Sequence, residues 1–142
     1  MLAKQLSVFV ENRKGRLGEV LAVLRKNDVS ILSLCIADTT EYGLLRIMSS
    51  DPEKGREKLC EEGFSTMLTD VLVIKIDHKV GSLQQLVEVL SNNEVNVEYM
   101  YGLSIDGDKA SVVLKVSDVE KACKVLIDCG IETLSSEEIA KF

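Results

Sequence analysis

The stretch Glu11-Asn12-Arg13-Lys14-Gly15-Arg16-Leu17 joins two runs of different period. Before it, Leu6, Val8 and Val10 alternate with Gln5, Ser7 and Phe9, the two-residue period of a strand over Gln5–Val10. After it, Leu17, Val20, Leu21 and Leu24 fall on one helical face, which predicts a helix from Arg16 to Asn27. A chain that stops as a strand and restarts as a helix leaves unpaired N–H groups at the restart, and an anion is welcome there. Gly15 lets the backbone come close to a ligand or adopt positive φ. We read the turn as a binding loop for a small zwitterion.

The same punctuation returns at Asp77-His78-Lys79-Val80-Gly81-Ser82-Leu83, and Leu83, Leu86, Val87 and Leu90 repeat the helical stripe. At a shift of 66, Gly15, Leu17, Leu24, Asn27 and Val29 meet Gly81, Leu83, Leu90, Asn93 and Val95. Further on the shift is 67, and Asp51, Glu53, Lys54, Leu59 and Gly63 meet Asp118, Glu120, Lys121, Leu126 and Gly130.

The elements between these marks fall in one order, twice. Strands are expected over Ser30–Ala37 and Leu44–Ser49, with a turn over Thr39–Gly43. Asp51-Pro52 opens a helix that runs to about Glu62 and closes at Gly63. Phe64–Leu68 is a short strand. The second half gives strands over Val71–Ile76, Asn96–Ile105 and Ala110–Val116, with a hairpin turn at Asp106-Gly107. Asp118 caps a helix closed by Gly130, Ile131–Leu134 is the last strand, and Ser135–Phe142 adds a helical turn or frays. The fold class expected is therefore α+β. It has two ferredoxin-like βαββαβ units, over 1–69 and 70–142, each an antiparallel sheet with helices on one face. Units this small are marginal alone, which suggests an intrachain pseudo-dimer.

Composition narrows the function. The 142 residues are 46% hydrophobic and 28% charged, and the formal net charge is −6. That balance repels a phosphate backbone, so no nucleic-acid partner is expected. No apolar run reaches the roughly 18 residues of a spanning helix, and Met1-Leu2-Ala3-Lys4 begins no leader pattern. A soluble, cytoplasmic protein without a membrane partner is expected. Four cysteines without a C-x-x-C pair and a single histidine, His78, predict no metal site. No phosphate-binding or dinucleotide fingerprint appears, so no cofactor is expected, and no catalytic constellation marks an enzyme.

The glycine loop before the first helix of a βαββαβ repeat resembles the ACT domain, a regulatory module that binds amino acids and is found attached to enzymes of amino-acid metabolism. Glu11-Asn12-Arg13-x-Gly15 followed by Leu17 is similar to the Glu-Asn-Arg-Pro-Gly loop of the serine-binding ACT domain of phosphoglycerate dehydrogenase. Lys14 stands where that loop has proline, and Val10 where it has a histidine in the preceding strand. The resemblance implies a free amino acid as partner, held by a loop asparagine and by a second asparagine from a neighbouring ACT domain. Asn12 matches the first, and the second falls at Ser30 in one unit and Asn96 in the other. One candidate site thus takes Asn12, Arg13, Lys14, Gly15, Arg16 and Leu17 with Asn96 and Val97. The reciprocal one takes His78, Gly81, Ser82 and Leu83 with Ser30, and keeps fewer family residues. Homo-oligomerisation as a dimer, or docking to a metabolic enzyme, would carry the signal. Three plainer readings stand beside this one. Asn12 can serve as a turn cap, Gly15 and Gly81 as turn formers only, and the whole fold as an interaction module without a ligand.

Overall fold

The computed structural model describes residues 2–38 and 41–142. They form two compact units, one over Lys4–Thr69 and one over Asp70–Lys141 that also takes in Ala3.

In the first unit, β1 (Ala3–Glu11), β2 (Ile31–Asp38) and β3 (Tyr42–Ser49) alternate with α1 (Arg16–Lys26) and α2 (Pro52–Glu61). β3 is central to its two neighbours, antiparallel to β1 through Val8↔Leu45 and to β2 through Leu34↔Ile47. The helical stripe lands where its period places it. Val20 and Leu24 of α1 pack with Leu59 of α2 on Leu6, Val8, Leu45 and Ile47. Each such buried aliphatic side chain contributes roughly 1.5–3 kcal/mol.

The ends of these helices follow from single residues. Asn27 closes α1 with its amide, Nδ2 donating to the Val23 carbonyl at 2.8 Å. Asp51 caps α2 by accepting from the Lys54 N–H at 3.1 Å, and Pro52 takes the first turn. Gly63 follows α2 at φ +85, a conformation a side chain resists.

β4 (Thr66–Asp77) runs from the end of the first unit into the second, which repeats the plan with α3 (Ser82–Asn92), β5 (Val97–Asp106), β6 (Lys109–Val116) and α4 (Val119–Asp128). Here β6 is central, paired to β4 through Ile74↔Val112 and to β5 through Met100↔Leu114. Leu86 and Leu90 of α3 and Leu126 of α4 pack on Leu72, Ile74 and Leu114. Asn93 repeats the amide cap onto Val89, and Asp118 repeats the carboxylate cap onto Lys121.

Four local expectations shift. The two strands expected at Phe64–Leu68 and Val71–Ile76 are one strand, β4, because Thr66–Asp77 holds no glycine or proline and Asp70 stays extended within it. β3 begins at Tyr42 rather than Leu44, so the expected turn shortens, and its Thr39 and Thr40 lie outside the described residues. Asp106 pairs with Lys109, which makes Gly107-Asp108 the two-residue hairpin loop, one position later than expected. Ile131–Leu134 makes a single bridge, Ile74↔Thr133, instead of a full strand. The chain turns into α5 (Ser136–Ile139) before more pairs can form. A reciprocal capping box starts α5, with Ser135 and Glu138 satisfying each other's backbone. Among the described residues, no helix is long and apolar enough to cross a membrane.

Candidate functional site: two glycine loops

Both glycine loops have one backbone solution. Gly15 sits at φ +86 and Gly81 at φ +90, each as the residue before a helix. A Cβ at either would meet nothing within 4 Å, so backbone conformation and not crowding selects glycine. The preceding residues also match. The Arg13 N–H donates to the Glu11 carbonyl at 2.8 Å, and the Lys79 N–H to the Asp77 carbonyl at 3.0 Å. The Asn12 N–H is held by the Glu41 carbonyl at 3.0 Å, and the His78 N–H by the Asp108 carbonyl at 2.7 Å. Neither glycine is followed by a side-chain cap, which leaves early N–H groups of α1 and α3 open to an outside acceptor.

The charges around the two loops differ. In the first loop Arg13 Nε lies 2.9 Å from the Glu11 carboxylate, and Arg16 reaches Glu19 at 2.6 Å. The Arg16 guanidinium also lies 4.1 Å from the centre of the Phe64 ring. Asn12 and Lys14 are exposed, and their side chains make no hydrogen bond or ion pair among the described residues. Asn12 therefore does not cap the turn with its amide. Leu17 is partly exposed beside them. In the second loop Asp77 accepts from Lys109 Nζ at 2.5 Å, and Lys79 Nζ lies 3.4 Å away. Lys109 first, then Lys79, hold the Asp77 carboxyl below the usual carboxylate range.

The candidate residues fall into four places. His78, Gly81, Ser82 and Leu83 line one cleft of ≈ 600 Å³ within the second unit. Asn96 and Val97 line a smaller depression of ≈ 400 Å³ with Ser91 and Glu94, at the end of α3 away from Gly81. Ser30 lines a third, of ≈ 260 Å³, with Arg25 and Asp28. Asn12 to Leu17 form the turn between β1 and α1. So neither unit brings its own loop to its own second position.

Ser30 and Asn96 are twins in the backbone. Their N–H groups donate to Ser50 and Ser117 hydroxyls at 2.9 and 3.1 Å, and both side chains are exposed. Sequence reasoning missed the opposite wall of the large cleft, formed by Gly102, Leu103, Ser104 and Ile105 of β5 and by Ala110 to Val112 of β6. The available signal was the hairpin at Asp106, which has to bring that end of β5 back beside the loop.

The whole chain, residues 1–142, matches the family model described as an ACT domain pair. A crystal structure of a protein from Bacteroides thetaiotaomicron is 37% identical, with 100% of this chain and 98% of that one covered and a TM-score of 0.95. The regulatory subunit of aspartate kinase from Thermus thermophilus is 13% identical, with 90% and 96% covered and a TM-score of 0.63. That subunit from Thermus flavus is 15% identical, with 92% and 95% covered and a TM-score of 0.60. The two kinase subunits share the fold. No curated protein matches the chain. With a family model over its full length and two ferredoxin-like units, the chain belongs to the ACT domain pair family.

Proposed function

We propose that this ACT domain pair is a regulatory sensor, without turnover of its own, that binds a free amino acid at its glycine loops. The observation that carries the reading is the duplicated loop. Two glycines at positive φ each open an uncapped helix of 11 residues, an arrangement that receives a carboxylate. The family resemblance adds Asn96 and Ser30 as residues supplied from a neighbouring unit. The likeness to regulatory subunits of aspartate kinase fits this role.

A thermal-shift panel of the common amino acids tests it. A ligand at 100 times its Kd stabilises the fold by about 2.7 kcal/mol. A panel that stays flat at millimolar concentrations overturns the reading. Asn12→Ala and His78→Ala then assign a positive response to one loop or the other.

A second reading has its own observation. Leu34 and Ile36 of β2 are 43% and 44% exposed, although they pair with the core residues Ile47 and Leu45. Such an apolar edge suits a second copy of the chain or a metabolic enzyme. Light scattering that shows assembly indifferent to every amino acid would favour a pure interaction module.

A further inference from the structure

We propose that the cleft beside the Asp77–Leu83 loop is a side-chain pocket, and that the amino acid it takes is apolar, in the range from valine to phenylalanine. This rests on the amino-acid reading above and sharpens it.

The cleft measures ≈ 600 Å³ and lies wholly within the second unit. That size suits a small molecule. Leu83, Leu103, Ile105 and Val112 make its apolar wall. Leu83 and Ile105 are 43% and 67% exposed, an unfavourable placement that an apolar ligand relieves. Gly102 keeps the middle open. A Cβ there would meet nothing within 4 Å, and its φ is not positive, so the glycine is not demanded by the backbone.

The polar end of the cleft is the start of α3. Ser82 is 8% exposed and lines the cleft, and its hydroxyl makes no hydrogen bond among the described residues. That hydroxyl still reaches solvent, so it is free to donate to a ligand oxygen. A ligand carboxylate set against Ser82 and the uncapped N–H groups of α3 accepts from both. The ligand's side chain then runs along Leu83, Leu103 and Ile105. Ser104 and Ser111 are the hydroxyls on the strand side, and they offer a charged side chain no opposite charge. The charges at the rim are engaged with one another, Asp77 with Lys109 and Lys79, so none of them calls for a charged side chain.

Isothermal titration of the full chain tests this, with leucine, isoleucine, valine, methionine and phenylalanine against serine, aspartate and lysine. Three variants accompany the wild type. Gly102→Leu fills the cleft, Ile105→Asp charges its wall, and Ile127→Asp charges an equally exposed apolar residue of α4 that does not line it. Ile105 is mostly exposed, so its replacement leaves the core intact, and circular dichroism checks the fold of each variant. The expected result is binding of at least one apolar amino acid, weakened tenfold or more by Gly102→Leu and by Ile105→Asp and unchanged by Ile127→Asp. Binding of polar amino acids alone overturns the pocket assignment and keeps the amino-acid reading. So does apolar binding that is equal in all four proteins. Binding of none of the eight overturns the pocket assignment, and the amino-acid reading falls with it if the panel of common amino acids is flat as well.

Discussion

The two units differ at the first residue of their first helix. Their cores are near copies: Leu6, Val8, Leu24 and Leu59 in one stand where Leu72, Ile74, Leu90 and Leu126 stand in the other, all fully buried. The caps are copies too, Asn27 with Asn93 and Asp51 with Asp118. At the loop, however, Arg16 corresponds to Ser82, and Phe64 to Ile131. In the first unit a guanidinium lies over an aromatic ring. In the second a small hydroxyl and an isoleucine line an open cleft of ≈ 400 Å³. The stripe and the caps recur because both units need them to fold. The position at the helix mouth lies outside that shared set, so the same backbone can carry a guanidinium over a ring in one copy and an open cleft in the other.

The equivalence of the cores is the part of this comparison with the largest energies. Leu24→Ala and Leu90→Ala should each destabilise by about 2–5 kcal/mol, and by similar amounts, in denaturant unfolding. A difference of several kcal/mol between them would show that one core tolerates collapse and the other does not. Next comes the divergent position. Arg16→Ser loses a cation–π contact of ~0.5–2 kcal/mol and an exposed ion pair of ~0–1 kcal/mol. A double-mutant cycle with Phe64→Leu isolates the ring contact, and zero coupling would leave Arg16 as a solvated surface charge.

A smaller effect separates the second helices. Gly55 in α2 corresponds to Ala122 in α4. Ala122→Gly should cost ~1 kcal/mol in helix propensity alone. The reverse change, Gly55→Ala, should return less than that. Its new Cβ would sit 3.0 Å from Leu6 Cδ2 and 3.3 Å from Leu24 Cδ2, inside a packed core. Equal and opposite shifts in chemical denaturation would mean that the first core yields without resistance.

Much of this was legible in the sequence, because repetition exposes it. The shift of 66 to 67 paired the core leucines and the cap residues before any coordinates, since both depend on local period and on single side chains. The continuity of β4 was hidden by the same repeat, which suggested a boundary at Thr69-Asp70 where neither glycine nor proline breaks the strand. The cleft was hidden for another reason. The reading favoured the first loop because Asn12 matched a known motif. What opens the second site is small size at Ser82 and Gly102, and a register shift in β5 between Gly102 and Ser104. A missing side chain has no periodicity, and a bulge is set by the partner strand.

The smallest predicted effect concerns the residue at the end of each first strand. Glu11 pairs with its near neighbour Arg13, whereas Asp77 receives Lys109 from across the sheet and Lys79 from the loop. The hydrogen bond from Lys109, followed by that from Lys79, lowers the Asp77 pKa. A carboxyl whose folded pKa is depressed stabilises the fold above its unfolded value of ~3.9, and that stabilisation fades as the pH falls through the folded value. Carbon-detected NMR titration should therefore place the Asp77 midpoint below ~3.9, and Lys109→Met should move it upward. Because the pair is exposed, added salt should raise the wild-type midpoint too. If Lys109→Met left the midpoint where it was, the cross-strand lysine would not hold the second loop. The loop would then rest on Lys79 and on the His78 N–H bond to Asp108.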